Sequence, residues 1–309
     1  MLKKTILAFF LSSASVAFAL PFHSQHAIVY EEGSGKVLLE KDANAIVSIA
    51  SLTKLMTAMV VLDARLNMED LIDIDEADVD IVKHSSSRVP VGVVLTRATV
   101  LQLALMSSDN RAAAALARTF PGGRAAFLAA VQQKIKSLDM RHTVIEEPTG
   151  LSPHNRSTAA DLVKMASAAS HYPEIARLST NTEDLVDMNG RMVHFRNTNR
   201  LVGKQDWDIQ LSKTGFTREA GRCLIMRMKA AGKNVVVVLL NARDSFARMA
   251  DAENVLRHLE GRDLLAPVVA KVTTAKKRTA VAKATSRGKR KLHNSTRMAD
   301  KRSHKNRRV

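Results

Sequence analysis

The stretch SIASLTKLMTAM, residues 48–59, sets a single charged side chain in otherwise uncharged surroundings. Between Ala43 and Leu62 the only charged residue is Lys54, and the run from Ser51 to Leu62 is apolar on nearly every helical face. Such a segment predicts a helix buried all round. Lysine is almost never fully buried unless it is paired. Ser51 lies three residues before Lys54, so on a helix that begins near Ser51 the hydroxyl and the amine project from one face. Ser51 is thereby a candidate nucleophile and Lys54 a candidate base.

Working outward, AIVYEEGSGKVLLEK (residues 27–41) reads as two short strands around a turn at Gly33-Ser34-Gly35, with glycine available for positive φ. Downstream of the buried helix, VLTRATVLQLALMSS, DNRAAAALARTF, RAAFLAAVQQKIKSLDM and STAADLVKMASAAS have helical period. Thr158 with Asp161 predicts a capping box. From Asp206 the period changes: DWDIQLSKTG, GRCLIMRMKAAG and KNVVVVLLNAR predict an antiparallel meander, and ARMADAENVLRHLE returns to helix. The order implies a mixed α/β (α+β) class: one antiparallel sheet, completed by both chain ends, with flanking helices and a helical subdomain.

The first residues, MLKKTILAFFLSSASVAFAL, combine two lysines, a short apolar core and Ala17-Phe18-Ala19, the pattern of a secretory signal cleaved after Ala19. No later run approaches the roughly 20 apolar residues of a membrane helix, so the expectation is a soluble protein exported to the periplasm. A single cysteine, Cys223, forms no internal disulfide and reads as a small buried strand residue. The net charge of +17 is concentrated at one end. Residues 271–309 hold 15 Lys and Arg against one acid, Asp300, while residues 5–270 hold 30 basic against 29 acidic residues. The expected partition is signal 1–19, folded domain 20–265 and a basic disordered tail 266–309. The tail either keeps the protein soluble or draws it to an anionic envelope surface, where each Lys or Arg near the charged layer adds about 1 kcal/mol. In an exported protein nucleic acid is not the expected partner.

Two further patterns accompany the Ser51/Lys54 pair: Ser108-Asp109-Asn110 between two helical segments, and Lys213-Thr214-Gly215 at a strand end. Alone, a Ser-x-x-Lys spacing says little, since Ser286 and Lys289 repeat it within the basic tail. S-x-x-K, S-D-N and K-T-G together are the signature of class A β-lactamases and penicillin-binding proteins. The flanking text LALMSSDNRAAAALA, EPTGLSPHNRSTAADLVKM, NTNRLV and WDIQLSKTGFTREAGRCLIM extends the likeness over about residues 25–260. The chain resembles the small penicillin-binding proteins of the D-alanyl-D-alanine endopeptidase and carboxypeptidase type, which implies a β-lactamase/D,D-peptidase-like fold.

By that resemblance Ser51 attacks a D-alanyl peptide bond and forms an acyl-enzyme, with Lys54 taking its proton. Ser108 and Asn110 relay protons and hold the peptide amide, and Lys213 and Thr214 steer substrate. The backbone N–H groups of Ser51 and Phe216 form the oxyanion site, and Gly215 stays small because substrate backbone lies against its strand. β-Lactams trap the same serine. Arg248 falls where related enzymes place an arginine near the substrate carboxylate, or is a solvated residue at a helix start. Peptidoglycan cross-links and D-Ala peptides are the implied substrates.

The resemblance carries a physical requirement. Bringing a lysine from about 10.4 to near 7 costs roughly 4.6 kcal/mol, whereas a helix N-terminus opposes an added cation by only about 0.3–1 kcal/mol. Burial and a second cation must supply the rest, and Lys213 is the expected second cation. Alternation predicts that Trp207, Ile209, Leu211 and Lys213 share one strand face.

Three rivals are distinguishable. A β-lactamase of the same fold needs a carboxylate that activates water, for which Glu146 and Glu147 are candidates. A zinc peptidase needs clustered ligands, but the ten histidines are scattered without an H-E-x-x-H, so no metal or other cofactor is expected. A catalytically silent wall-binding module would have no need of the intact Ser51, Lys54, Asn110 and Lys213.

Overall fold

The computed structural model describes residues 22–264. The expected signal segment and basic tail, with its Ser286/Lys289 pair, lie outside the described residues.

The elements run β1 (His26–Glu31), β2 (Lys36–Lys41), β3 (Val47–Ser48), α1 (Thr53–Asp63), β4 (Leu71–Asp73), β5 (Val94–Thr96), α2 (Arg97–Met106), α3 (Asn110–Arg118) and α4 (Gly123–Ser137). There follow β6 (Arg156–Ser157), α5 (Ala159–Ala169), α6 (Pro173–Thr180), β7 (Glu183–Asp187), β8 (Met192–Arg196), β9 (Asp208–Thr217), β10 (Gly221–Ala230), β11 (Lys233–Ala242) and α7 (Ser245–Leu259). An antiparallel sheet has the order β2-β1-β11-β10-β9. Both ends of the described chain build it, as the sequence predicts. The pairs β3–β6, β4–β5 and β7–β8 form three small ribbons beside it.

Each face of the sheet is covered. Ile28, Cys223, Ile225, Val236, Val238 and Leu240 face the helical layer with Leu55, Met59, Leu105 and Leu116. Val29, Leu224, Met226, Val237 and Leu239 pack with Val255 and Leu256 of α7 on the other side. Thus β11 reads VVVVLL without polar alternation because both of its faces are dry. At about 1.5–3 kcal/mol for each fully buried aliphatic side chain, this strand is a main source of the sheet's stability. The helix around Lys54 is likewise buried all round: every residue from Thr53 to Val61 is inaccessible.

Two local expectations change. Thr158 does cap α5, accepting from Asp161 N at 3.0 Å, but the Asp161 carboxylate does not return the bond. It accepts instead from His142 N and Thr143 Oγ1, tying the preceding loop to the helix. In β9 the predicted common face is broken. Leu211 pairs with Arg227 and Ile209 with Met228, so Gln210 is an extra residue on its strand, a β-bulge. Trp207 and Ile209 consequently pack toward α7, while Leu211 packs in the helical-layer core. Lys213, opposite Ile225, shares the face of Leu211 and not that of Trp207. No helix among the described residues is long and apolar enough to cross a membrane.

Candidate active site

Ser51 sits in a single 3₁₀ turn, Ala50–Leu52, that precedes α1. The α-helix begins two residues later than the expected start, and Ala50 is held at φ +47°. A non-glycine residue in that region is uncommon and is retained only where its surroundings fix it. Here the surroundings are the strand β3 before it and the first turn of α1 after it, which together aim Ser51 outward and Lys54 inward.

Lys54 is 1% exposed. Its ammonium donates to Ser51 Oγ at 2.9 Å, Asn110 Oδ1 at 2.7 Å and the Thr149 carbonyl at 2.6 Å. Three donors meet three acceptors, so the buried charge is fully satisfied. Asn110 is the first residue of α3. Its Nδ2 donates to Ser85 Oγ at 2.9 Å, which fixes its oxygen toward Lys54. Asp109 caps α3 and also accepts from Ser87 Oγ, so the Ser85–Ser87 segment is fastened to the SDN turn at two points. Further along that loop Lys83 pairs with Glu219 on the β9–β10 turn at 2.5 Å and pulls the Glu219 carboxyl down to about 2.

The second lysine lies on β9, the edge strand. Lys213 is also 1% exposed and donates to Ser108 Oγ at 2.7 Å and to the Thr214 carbonyl at 3.0 Å. Ser108 adopts φ +60°, turning its hydroxyl toward Lys213 between α2 and α3. Thr214 Oγ1 donates to Thr198 Oγ1 at 2.7 Å.

One cavity of about 1170 Å³ joins these walls, lined by Ser51, Ser108 and Asn110 on one side and by Thr214, Gly215 and Phe216 on the other, with Arg248 at one end. All nine residues singled out from the sequence therefore meet, with the two lysines immediately behind the lining. Arg248 is 6% exposed and donates to the Cys223 carbonyl at 3.1 Å, which removes the reading of it as a solvated helix-start residue. Burial, then the nearby Arg222 guanidinium, lowers its pKa to about 10. Cys223 is buried in β10 as expected, and burial pushes its thiol up to about 11.

Burial acts first on both amines of the site. Burial lowers Lys54 to about 8, and the carboxylates of Glu147 and Asp109 hold it from falling further. Lys213 is pushed well below the ordinary lysine value by burial first, then by the Lys54 and Arg248 cations. Desolvation is thus the largest cause of the lowering in both amines.

Several residues of the site went unassigned in the sequence. The Glu147 carboxylate accepts from Thr149 N, Gly150 N, Ser152 N, Thr149 Oγ1 and Asn155 Nδ2 at 2.6–3.2 Å. It is engaged in holding the turn that presents the Thr149 carbonyl to Lys54, so it is not a free water-activating base. Gly150 has φ +85°, and a Cβ there would stand 1.9 Å from the Ala50 carbonyl oxygen. Only glycine lets this turn lie against the turn that carries Ser51. The run EPTGL was visible in the sequence, but nothing in it announced that contact. Gly215 is small for a related reason: a Cβ there would stand 3.0 Å from Ile49 O and 3.2 Å from Ser51 N. The close neighbour is the nucleophile's own turn, a reason that stands beside the expected one of substrate clearance.

Comparison with known proteins agrees with this geometry. The sequence profile of the D-alanyl-D-alanine carboxypeptidase family matches residues 13–244. A D-alanyl-D-alanine endopeptidase of Pseudomonas aeruginosa is 44% identical over 251 residues, 80% of this chain and 81% of that protein. One from Escherichia coli is 42% identical over 271 residues, 87% of each chain. Among solved structures, a Streptomyces DD-transpeptidase superposes with TM-score 0.72 at 26% identity, over 79% of this chain and 99% of that one. A penicillin-binding protein of Listeria monocytogenes in its ampicillin-bound form gives 0.67 at 28% identity, with coverage of 79% and 99%. By profile, by relatives and by fold, the chain belongs to the D-alanyl-D-alanine carboxypeptidase family, whose members are D,D-peptidase hydrolases.

Proposed function

We propose that this D,D-peptidase cleaves D-alanyl peptide bonds of peptidoglycan cross-links, and also terminal D-alanine, with Ser51 as nucleophile and Lys54 as base. The observation that carries the reading is the pairing of Lys54 Nζ with Ser51 Oγ at 2.9 Å, while Lys213 Nζ holds Ser108 Oγ across the same cavity. Neutral Lys54 takes the hydroxyl proton as Ser51 Oγ bonds to the substrate carbonyl. Ser108, held by Lys213, relays to the departing amine the proton that Lys54 took from Ser51, and Asn110 holds the substrate amide. Thr214 and Arg248 bind the carboxylate of the leaving residue, and the N–H groups of Ser51 and Phe216 receive the oxyanion. Water then releases the acyl group, and a β-lactam acylates the same oxygen.

Engagement of Glu147 by backbone N–H groups favours slow release of the penicilloyl group over the turnover of a β-lactamase. We further assign residues 1–19 to an export signal for the periplasm, 20–265 to the peptidase domain and 266–309 to a basic segment that associates with an anionic envelope surface, in a protein that trims the wall during growth and shaping.

Digestion of purified cross-linked muropeptides tests the mechanism. Wild type is expected to convert dimers to monomers and to retain a fluorescent penicillin covalently, and Ser51→Ala to do neither. Loss of dimers that does not depend on Ser51 would reject the mechanism, and rapid penicillin turnover would reassign the protein as a β-lactamase.

A further inference from the structure

The cavity that holds Ser51 is lined by Arg196, Arg200, Arg222 and Arg248, and by no aspartate or glutamate. Two of the four have protein acceptors: Arg196 lies 3.5 Å from Glu183, and Arg248 donates to the Cys223 carbonyl. The other two do not. The Arg222 guanidinium carbon lies over the Phe216 ring, 3.7 Å from its centroid, and Arg200 forms no side-chain hydrogen bond or ion pair among the described residues.

Arg200 is nonetheless on a fixed support. Asn197 Nδ2 donates to the carbonyls of Ser179 and Asn181 at 2.9 and 2.8 Å, and the buried Asn199 donates to Ser212 Oγ at 3.0 Å while accepting from Leu201 N at 3.1 Å. The backbone on both sides of Arg200 is pinned by the half-buried Asn197 and the buried Asn199, and Arg200 itself is exposed at the cavity. Stacking on Phe216 likewise restrains Arg222. Preorganised guanidiniums without counter-ions are ready to take planar anions, and carboxylates match their paired N–H geometry.

The substrate of the proposed reaction can supply such anions in unequal number. Release of terminal D-alanine frees a leaving group with one carboxylate, which Arg248 alone can bind. Cleavage of a cross-link releases a peptide that bears further carboxylates. We propose that Arg200 and Arg222 form a second carboxylate subsite for the leaving peptide, so that the site discriminates for leaving groups bearing two or more carboxylates. The inference rests on the Ser51 reading above and adds the part of the substrate that sets the preference.

The test uses two synthetic substrates that differ only in the leaving peptide, its second carboxylate free or amidated. Wild type is expected to lose about tenfold in kcat/KM on amidation, a penalty that shrinks as salt screens the charges. The Arg200→Gln/Arg222→Gln double variant is expected to show a penalty of no more than about twofold, with Arg200→Lys retaining part of it. Covalent uptake of fluorescent penicillin confirms that each variant is folded at Ser51. An unchanged amidation penalty in the double variant, or none in wild type, overturns the subsite while leaving the Ser51 mechanism intact. Failure of wild type to take up penicillin and to hydrolyse either substrate overturns both.

Discussion

Lys54 and Lys213 have the same burial, 1% exposure each, and stand on opposite sides of one serine-lined cavity, yet they are solvated in different ways. Lys54 has three oxygen acceptors and lies in the field of two carboxylates, Glu147 and Asp109. Lys213 has two acceptors, no carboxylate, and two cations as neighbours. Burial disfavours the charged form of both amines, so the difference lies in what surrounds each nitrogen. Lys54 is accordingly the better supported of the two as a cation, and Lys213, which holds Ser108, is pushed well below the ordinary lysine value. A serine beside a lysine does not become reactive through the spacing alone. It does so because burial lowers Lys54 to about 8, which lets its neutral form take the hydroxyl proton.

The largest effect expected from this contrast is on the Lys54 side. Lys54→Met removes the proton acceptor and should lower both peptide hydrolysis and penicillin acylation by roughly 10²–10⁴-fold, the usual range for a general base. Lys213→Met should cost less, roughly 10–100-fold, the equivalent of one charge-assisted hydrogen bond. Stopped-flow acylation with a fluorescent penicillin measures both. Equal losses would show that the two amines are interchangeable and that the contrast has no catalytic meaning.

The two glycines beside the lysines sharpen the same comparison through stability. At Gly150 an added methyl would be driven into the Ala50 carbonyl at 1.9 Å, at a backbone φ of +85°. At Gly215 the closest approach is 3.0 Å, which a shift of a few tenths of an ångström relieves. Gly150→Ala should therefore destabilise by roughly 3–5 kcal/mol and Gly215→Ala by about 1 kcal/mol, read from urea unfolding. A Gly150→Ala protein as stable as Gly215→Ala would mean that the EPTGL turn can move away from Ser51, and that Lys54 can lose its Thr149 acceptor without penalty.

What the sequence made legible here follows from what leaves a periodic or chemical trace. The all-apolar helix about Lys54, the VVVVLL strand and the three motifs each do so, and together they assembled the walls of the site before any coordinates. The bulge at Gln210 leaves none, because WDIQLSK alternates perfectly and the extra residue exists only in relation to β10. Ala50 gives no hint of a positive φ, since glycine, asparagine and aspartate are the residues that announce it. Glu147 looked like a free carboxylate because its acceptors' partners are backbone N–H groups, which every sequence contains. Ser85 and Ser87 fall in a polar loop without period, so their ties to Asn110 and Asp109 arise only from the folded path. The electrostatic expectation of burial plus a second cation meets the same limit: the cation is visible as a letter, whereas the extent of desolvation is a property of the packed surroundings.

That expectation can be decided by pH. Lys54 must be neutral to accept a proton, and its pKa of about 8 means that acylation should rise with pH, pass half its maximum near pH 8 and level off above it. Below that point the neutral fraction falls about tenfold per pH unit, so the acid limb reports Lys54 directly. Glu147 favours the ammonium form, and Glu147→Gln removes that support, lowering the pKa further and moving the limb to lower pH. The variant also loses charge-assisted bonds to three backbone N–H groups, so its unfolding midpoint should fall as well. Lys213→Met separates the two explanations for the lowered value. If the Lys213 charge were what depresses Lys54, removing it would raise the limb toward ordinary lysine values. If desolvation dominates, as the packing of α1 indicates, the limb stays near pH 8 although the rate falls.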